Sequence, residues 1–270
     1  MTAIAYQDWM QGGSWSAPFG SSLLLDISPL DNLVGPQLGL PWAASHGLAD
    51  RVLVRQLASA TSPVDVVALL DVRSSSTLSV RIAHGPDIEI TPSTPVLEYA
   101  TSEFTVNLFF LLPARIVTNA LAFRFGSVAG STYSVGRIWA GPLFVPPQSI
   151  HLDWNPDVVD PGYVKRSRGK QGHSRVRRRT RRLSLAFQQI PFDLAFGVPS
   201  NALFDFQQLG YRLGTTQPAI VLPRTRQADG ALDLQAIHRL GMYCHLTQPI
   251  DLEHTGGNFF SATLEAAELL

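Results

Sequence analysis

The chain has 270 residues, 45% of them hydrophobic and only 16% charged, and its 21 basic residues cancel its 21 acidic ones. A single cysteine, Cys244, excludes an intramolecular disulfide framework, and the opening MTAIAYQDWMQGGSW lacks the basic start and apolar core of a secretory signal. The most apolar region, residues 106–125, is broken by Asn107, Pro113, Arg115, Asn119 and Arg124, which excludes a membrane span there and predicts a protein made in a cytoplasm.

The first thirty residues, rich in Gly and Ser with indoles at Trp9 and Trp15, read as an N-terminal segment (1–30) packing on a partner or on the C-terminal domain. Residues 65–71 (DVVALLD) form a short apolar run suited to a buried strand. Residues 76–84 (STLSVRIAH) alternate, with Leu78, Val80 and Ile82 on one face. Residues 106–112 are again a buried run, residues 114–125 end with Leu121, Phe123 and Phe125 alternating, and residues 133–139 (YSVGRIW) complete the series. Short runs between dense Gly and Pro predict a jelly-roll β-sandwich over 31–146, ended by the prolines of PLFVPPQ. The remainder, 147–270, reads as a smaller β-rich α+β assembly domain. Its elements are a strand at 183–187, a helix at 201–213 capped by Asn201, and strands at 219–222, 240–246 and 258–264. The fold class predicted is mainly β.

The neutral total hides an asymmetry. Residues 1–164 carry 13 acids and 7 arginines, and residues 183–270 carry 8 acids and 4 arginines. The eighteen residues between them, KRSRGKQGHSRVRRRTRR, carry ten positive charges and no acid. Gly169 and Gly172 near the centre and the strand LSLAF afterwards predict a β-hairpin over 163–187 with its tip at 167–174. Both faces of the returning arm carry arginine, so the ribbon is solvated or clamped against acidic groups of another chain or of nucleic acid. The segment holds no aromatic for base stacking, which disfavours nucleic acid, and a nuclear signal rests on composition alone. The docking reading assigns Lys165, Arg166, Arg168, Lys170, Arg175, Arg177, Arg178, Arg179, Arg181 and Arg182 to a partner's acidic surface, through guanidinium forks that match carboxylates.

Catalytic patterns fail one by one. There is no phosphate loop, because six residues separate Gly162 from Gly169 and Gln171 follows Lys170. There is no nucleophile elbow, since Ser127 stands one place early in GSVAG. His238, Cys244, His245 and His254 match no compact zinc spacing, and adjacent Cys244 and His245 would face opposite sides of a strand. No catalytic residue, metal or cofactor is expected. The five tryptophans (Trp9, Trp15, Trp42, Trp139, Trp154) keep sugar stacking open without selecting a glycan contact, and Trp139 reads as core.

The strings VDVVALLD, TLSVRIAH, PARIVTNALAFRF and YSVGRIWAGPLFVPP, followed by HLDW and the basic hairpin, resemble the jelly-roll distal tail and baseplate proteins of long-tailed bacteriophages. The resemblance spans residues 30–265, with GRIWAGP at 136–142 its most specific piece. It implies a structural virion component that assembles with other tail proteins in a homo-oligomeric ring, with no membrane and no enzymatic activity. The alternative is a carbohydrate-binding module that recognises host surface glycans through the jelly roll.

Overall fold

Gly and Pro every few residues leave room for strands and little for helices. Among the residues described, the chain forms twenty strands, β1 (Ala3–Ala5) to β20 (Phe259–Glu268), and three short α-helices. The computed structural model describes residues 1–16, 29–35, 38–45, 51–57, 62–84, 97–100, 106–127, 129–147, 151–160, 162–166, 172–175, 179–197 and 205–269. The chain divides into two units. One comprises Gln7–Leu143 and Leu234–Gly241; the other comprises Met1–Tyr6, Phe144–Asp233 and Met242–Leu270. The N-terminal segment is therefore shared: β1 belongs to the second unit and residues 7–16 to the first.

The first unit is a β-sandwich. One sheet has the order β2 (Ser14–Ser16), β4 (Arg51–Gln56), β9 (Ala120–Ser127), β6 (Thr77–His84), β7 (Leu97–Ala100). The other runs β11 (Arg137–Gly141), β5 (Ser62–Ser74), β10 (Thr132–Val135), β3 (Trp42–Ser45), with β8 (Val106–Thr118) also on β5. Alternation explains the packing. Leu53, Leu78, Val80, Ile82, Leu121, Phe123 and Phe125 face Val67, Leu69, Leu108, Phe110 and Ile138 in one buried cluster. Trp42, Phe125 and Tyr133 form its aromatic centre, with ring centroids 5.5–5.6 Å apart.

The runs without alternation are buried on both faces. Val66 to Leu70 are all inaccessible, and so is Phe109 in β8. Helix α3 (Leu234–Leu240) packs on β8, and the Phe109 amide donates to His238 Nδ1 at 3.3 Å. Sequence periodicity missed this helix. The run 114–125 is not one strand: Pro113 and Arg115 lie inside β8, and Asn119 separates β8 from β9, where Thr118 Oγ1 donates to the Ala120 carbonyl at 2.8 Å. Residues 133–139 divide into two strands at Gly136, where a Cβ would sit 2.8 Å from Asp71 Cβ.

Trp9 and Trp15 pack on this sandwich. Trp9 Nε1 donates to the Pro63 carbonyl at 2.8 Å, and the Arg55 guanidinium lies 5.0 Å from the Trp15 ring. Arg55 is 2% exposed and donates twice to the Met10 carbonyl. Beside it Arg137 meets Asp8 at 2.6 Å, with their side chains 1% and 6% exposed. Burial pushes the Asp8 carboxyl up from its ordinary range, opposed by Arg137 and by the amides of Met10 and Ala140.

The second unit is built on one sheet with the order β12 (Leu143–Phe144), β1, β17 (Pro218–Leu222), β18 (Met242–Leu246), β20, β16 (Thr180–Pro191), β13 (His151–Val159). In it β19 (Asp251–Gly256) also pairs with β20. Its core holds Ile4, Phe144, Leu183, Leu185, Phe187, Val221, Cys244 and Leu264, capped by α2 (Phe206–Leu213) through Phe206, Leu209 and Leu213. The cap of α2 is Asp205, whose Oδ1 accepts from the Gln208 amide at 2.6 Å; Asn201 and Leu203 lie outside the described residues. Short α1 (Phe192–Phe196) follows β16 directly.

Candidate functional site

A cleft of about 880 Å³ sits in the second unit, with a lining that includes Leu152, Trp154, Gln189, Arg224, Arg226 and Gln227. Three elements build it. On edge strand β13, Leu152 pairs with Phe187 and Trp154 with Leu185, so both point to the face that carries the core. The edge strand runs past the end of that core. Leu152 is only half covered, and Trp154 is left 38% exposed while Leu185 and Phe187 beside it are inaccessible.

The second element is a bulge in β16. The pairing with β20 slips between Phe187 and Ile190, and Gln189 takes φ +59°. That left-handed conformation costs a non-glycine residue about 1 kcal/mol or more, and it places Gln189 on the cleft wall. A plain strand reading of LSLAFQQIP contains no sign of it.

The third is the segment 223–233, folded back as a tight loop. The Gln227 amide donates to the Ala231 carbonyl at 2.8 Å, and the bridge Arg226–Leu232 closes it around Gly230 at φ +85°. Thr225 is 3% exposed and donates through both its amide and Oγ1 to the Met1 carbonyl. Thr2 Oγ1 reaches the Pro223 carbonyl at 2.8 Å. With Thr225 turned inward, its neighbours Arg224 and Arg226 both turn outward. Arg224 Nε pairs with Asp233 at 2.8 Å, and Arg226 Nη1 donates to the Gly230 carbonyl at 2.7 Å. The loop is thus pinned before any ligand arrives, which lowers the ordering cost of binding.

The basic segment is more divided than its sequence implied. β14 (Tyr163–Arg166) pairs with β15 (Gly172–Arg175) in a separate ladder, so Gly172 to Ser174 belong to the returning strand rather than to the tip. Lys165, Arg166 and Arg175 lie on these two strands. Arg168, Lys170, Arg177 and Arg178 lie outside the described residues. At the junction with the β13–β16 ladder, Asp160 accepts from the Gly162 amide at 2.8 Å and from Arg179 Nε at 2.9 Å. These bonds hold its carboxyl below the usual range. Arg181 is bound to Glu268 at 2.6 Å, so two arginines assigned to a partner's surface pair within the chain; Arg182 is exposed. Glu268 stands in β20.

The four residues weighed for zinc do not form one group. His238 is in the first unit, while Cys244, His245 and His254 are in the second. Cys244 is fully buried, and desolvation pushes its thiol up to about 12, which makes it core packing rather than a nucleophile. Among the described residues no group of three or more His, Cys, Asp or Glu is placed to hold a metal. No described helix is long and apolar enough to cross a membrane.

No protein-family model matches the chain, and no curated protein matches it in sequence. Among solved structures it is similar to the family 32 carbohydrate-binding module of NanJ from Clostridium perfringens, solved with galactose. That match has 14% identity and a TM-score of 0.37, over 51% of this chain and 98% of that one. A pectin-binding carbohydrate-binding module matches at 12% identity and a TM-score of 0.35, over 51% of this chain and 92% of that one. A Ruminococcus gnavus GH29 fucosidase in complex with fucose matches at 13% and 0.35, over 50% of this chain and 26% of its own. These neighbours are sugar-binding modules and glycoside hydrolase chains, not tail proteins, and this overturns the phage-tail structural role expected from the sequence.

Proposed function

We propose that this protein binds carbohydrate, and that the cleft of the second unit is where it does so. The observation that carries the reading is Trp154, a large apolar ring held at the rim of a preformed polar cleft. Of the five tryptophans, Trp42 and Trp139 are inaccessible and Trp9 and Trp15 are half-buried against the sandwich core; Trp154 is the most exposed. An indole face offers the C–H face of a pyranose a flat apolar surface, while Gln189, Gln227 and the two arginines supply hydrogen bonds for its hydroxyls. The glycan alternative drawn from the sequence looked to the jelly roll; the residues that support binding lie on the other unit.

Glycan-array screening of the intact protein, followed by calorimetry on the best ligand, tests the reading. Trp154→Ala is expected to weaken binding at least tenfold and to leave the thermal unfolding midpoint within a few degrees, because the ring is on an exposed edge strand. Unchanged affinity in Trp154→Ala removes the cleft from the reading.

A further inference from the structure

Resting on that reading, we propose that the cleft selects acidic saccharides, with Arg226 and Arg224 receiving the sugar's anionic group beside the Trp154 indole. Among the described residues, the lining contains two arginines and no aspartate or glutamate. A cleft made for neutral sugars would gain from carboxylates, which accept from sugar hydroxyls; this one presents donors and positive charge instead. The two arginines stand two residues apart in an extended segment, about 7 Å along the chain, on the same outward side because Thr225 between them is tied to the Met1 carbonyl. At that spacing both guanidiniums can reach one anionic group.

Their partners leave this capacity in place. Asp233 takes the Nε edge of Arg224 and is itself largely covered, at 13% exposure. Arg226 is anchored through Nη1 to a neutral carbonyl, Gly230, and pairs with no carboxylate among the described residues. A guanidinium held by a carbonyl keeps its full charge and its remaining donors for a ligand, and its planar fork matches a carboxylate or a sulfate ester. Elsewhere in the chain, Arg115, Arg137, Arg179 and Arg181 are each spent on a carboxylate of the same fold. Arg226 differs from them in standing exposed on the lining of the cleft that also holds the Trp154 indole.

The test uses the full chain and three probes: a galacturonic acid hexasaccharide, its carboxyl-reduced neutral counterpart, and a sulfated galactan oligosaccharide. At low salt, one or both acidic probes are expected to bind about tenfold more tightly than the neutral one. That margin should shrink as added salt screens exposed charges. The uronate and sulfate arms identify which anionic group the cleft prefers. Arg226→Gln should abolish the margin and retain the weak binding of the neutral probe, and Arg226→Lys should restore part of it. Equal affinity for neutral and acidic probes, or a margin that survives Arg226→Gln, overturns the acidic selectivity while carbohydrate binding stands. Absence of binding to all three probes and to the glycan array overturns both.

Discussion

Replacing Asp8 by Asn is predicted to be among the most damaging conservative changes in the sandwich. Asp8 Oδ2 lies 2.6 Å from Arg137 Nη2, and Oδ1 accepts from the amides of Met10 at 3.0 Å and Ala140 at 3.4 Å. An asparagine keeps one acceptor and the shape but removes the charge. The Arg137 guanidinium, 1% exposed, then stays inside without its carboxylate. Breaking a buried pair from one side costs about 3–5 kcal/mol, equivalent to roughly 10 °C in the unfolding midpoint for a unit of this size. Urea unfolding followed by tryptophan fluorescence measures it, since Trp42 and Trp139 are inaccessible in the folded unit and become exposed on unfolding. Two companions sharpen the reasoning. Arg115→Gln breaks a pair of similar length, 2.7 Å, but with Arg115 36% exposed, and should cost about 1 kcal/mol or less. The double change Asp8→Leu with Arg137→Met removes both charges and should be less destabilising than Asp8→Asn alone. An Asp8→Asn protein within 1 kcal/mol of its parent, measured beside Arg115→Gln, would refute the claim that this pair locks residues 7–16 to the sandwich.

Two further outcomes follow from the same unit. Burial pushes the His238 imidazole below its ordinary 6.5, so between its folded value and 6.5 the unfolded chain binds the proton and the folded chain does not. The His238 contribution is therefore complete above pH 6.5 and is lost as pH falls below it. Urea midpoints at pH 7.5 and 5 should diverge in the parent and converge in His238→Asn, which retains an acceptor for the Phe109 amide; equal slopes in both would exclude the mechanism. Gly141→Ala would place a Cβ 1.8 Å from the Gln7 carbonyl oxygen and 2.9 Å from the Trp139 ring. A loss above about 3 kcal/mol or an insoluble product is expected, whereas Gly39→Ala, with open space around it, should be neutral.

The alternating segments were legible because a strand with one buried face must repeat every two residues. Leu78, Val80, Ile82 and Leu121, Phe123, Phe125 lie on the faces their spacing implies. Boundaries were less legible. Pro113 reads as a breaker yet stands inside β8, and Gly136 reads as a strand interior yet stands between β10 and β11, with Asp71 close against it. Helix α3 was missed because HRL and the Gly after it run into an apolar stretch, and its packing against β8 involves residues about 130 positions away in the chain. The basic segment was legible as a ribbon, but its pairing to Asp160 and Glu268 was not, since neither acid is marked by local pattern.

Composition, one cysteine and two-residue periodicity determined by themselves that this is a mainly β chain with a thiol unavailable for intrachain disulfides. They did so because those properties depend on residue type and on near neighbours. Only the tertiary structure decided which tryptophan is exposed and where the cleft lies. Trp154 is one of five chemically identical side chains, and what distinguishes it is its place on an edge strand beyond the reach of the core. The cleft around it joins residues near positions 1, 150, 189 and 226. No local pattern links such distant residues; the sheet order and the bulge at Gln189 do.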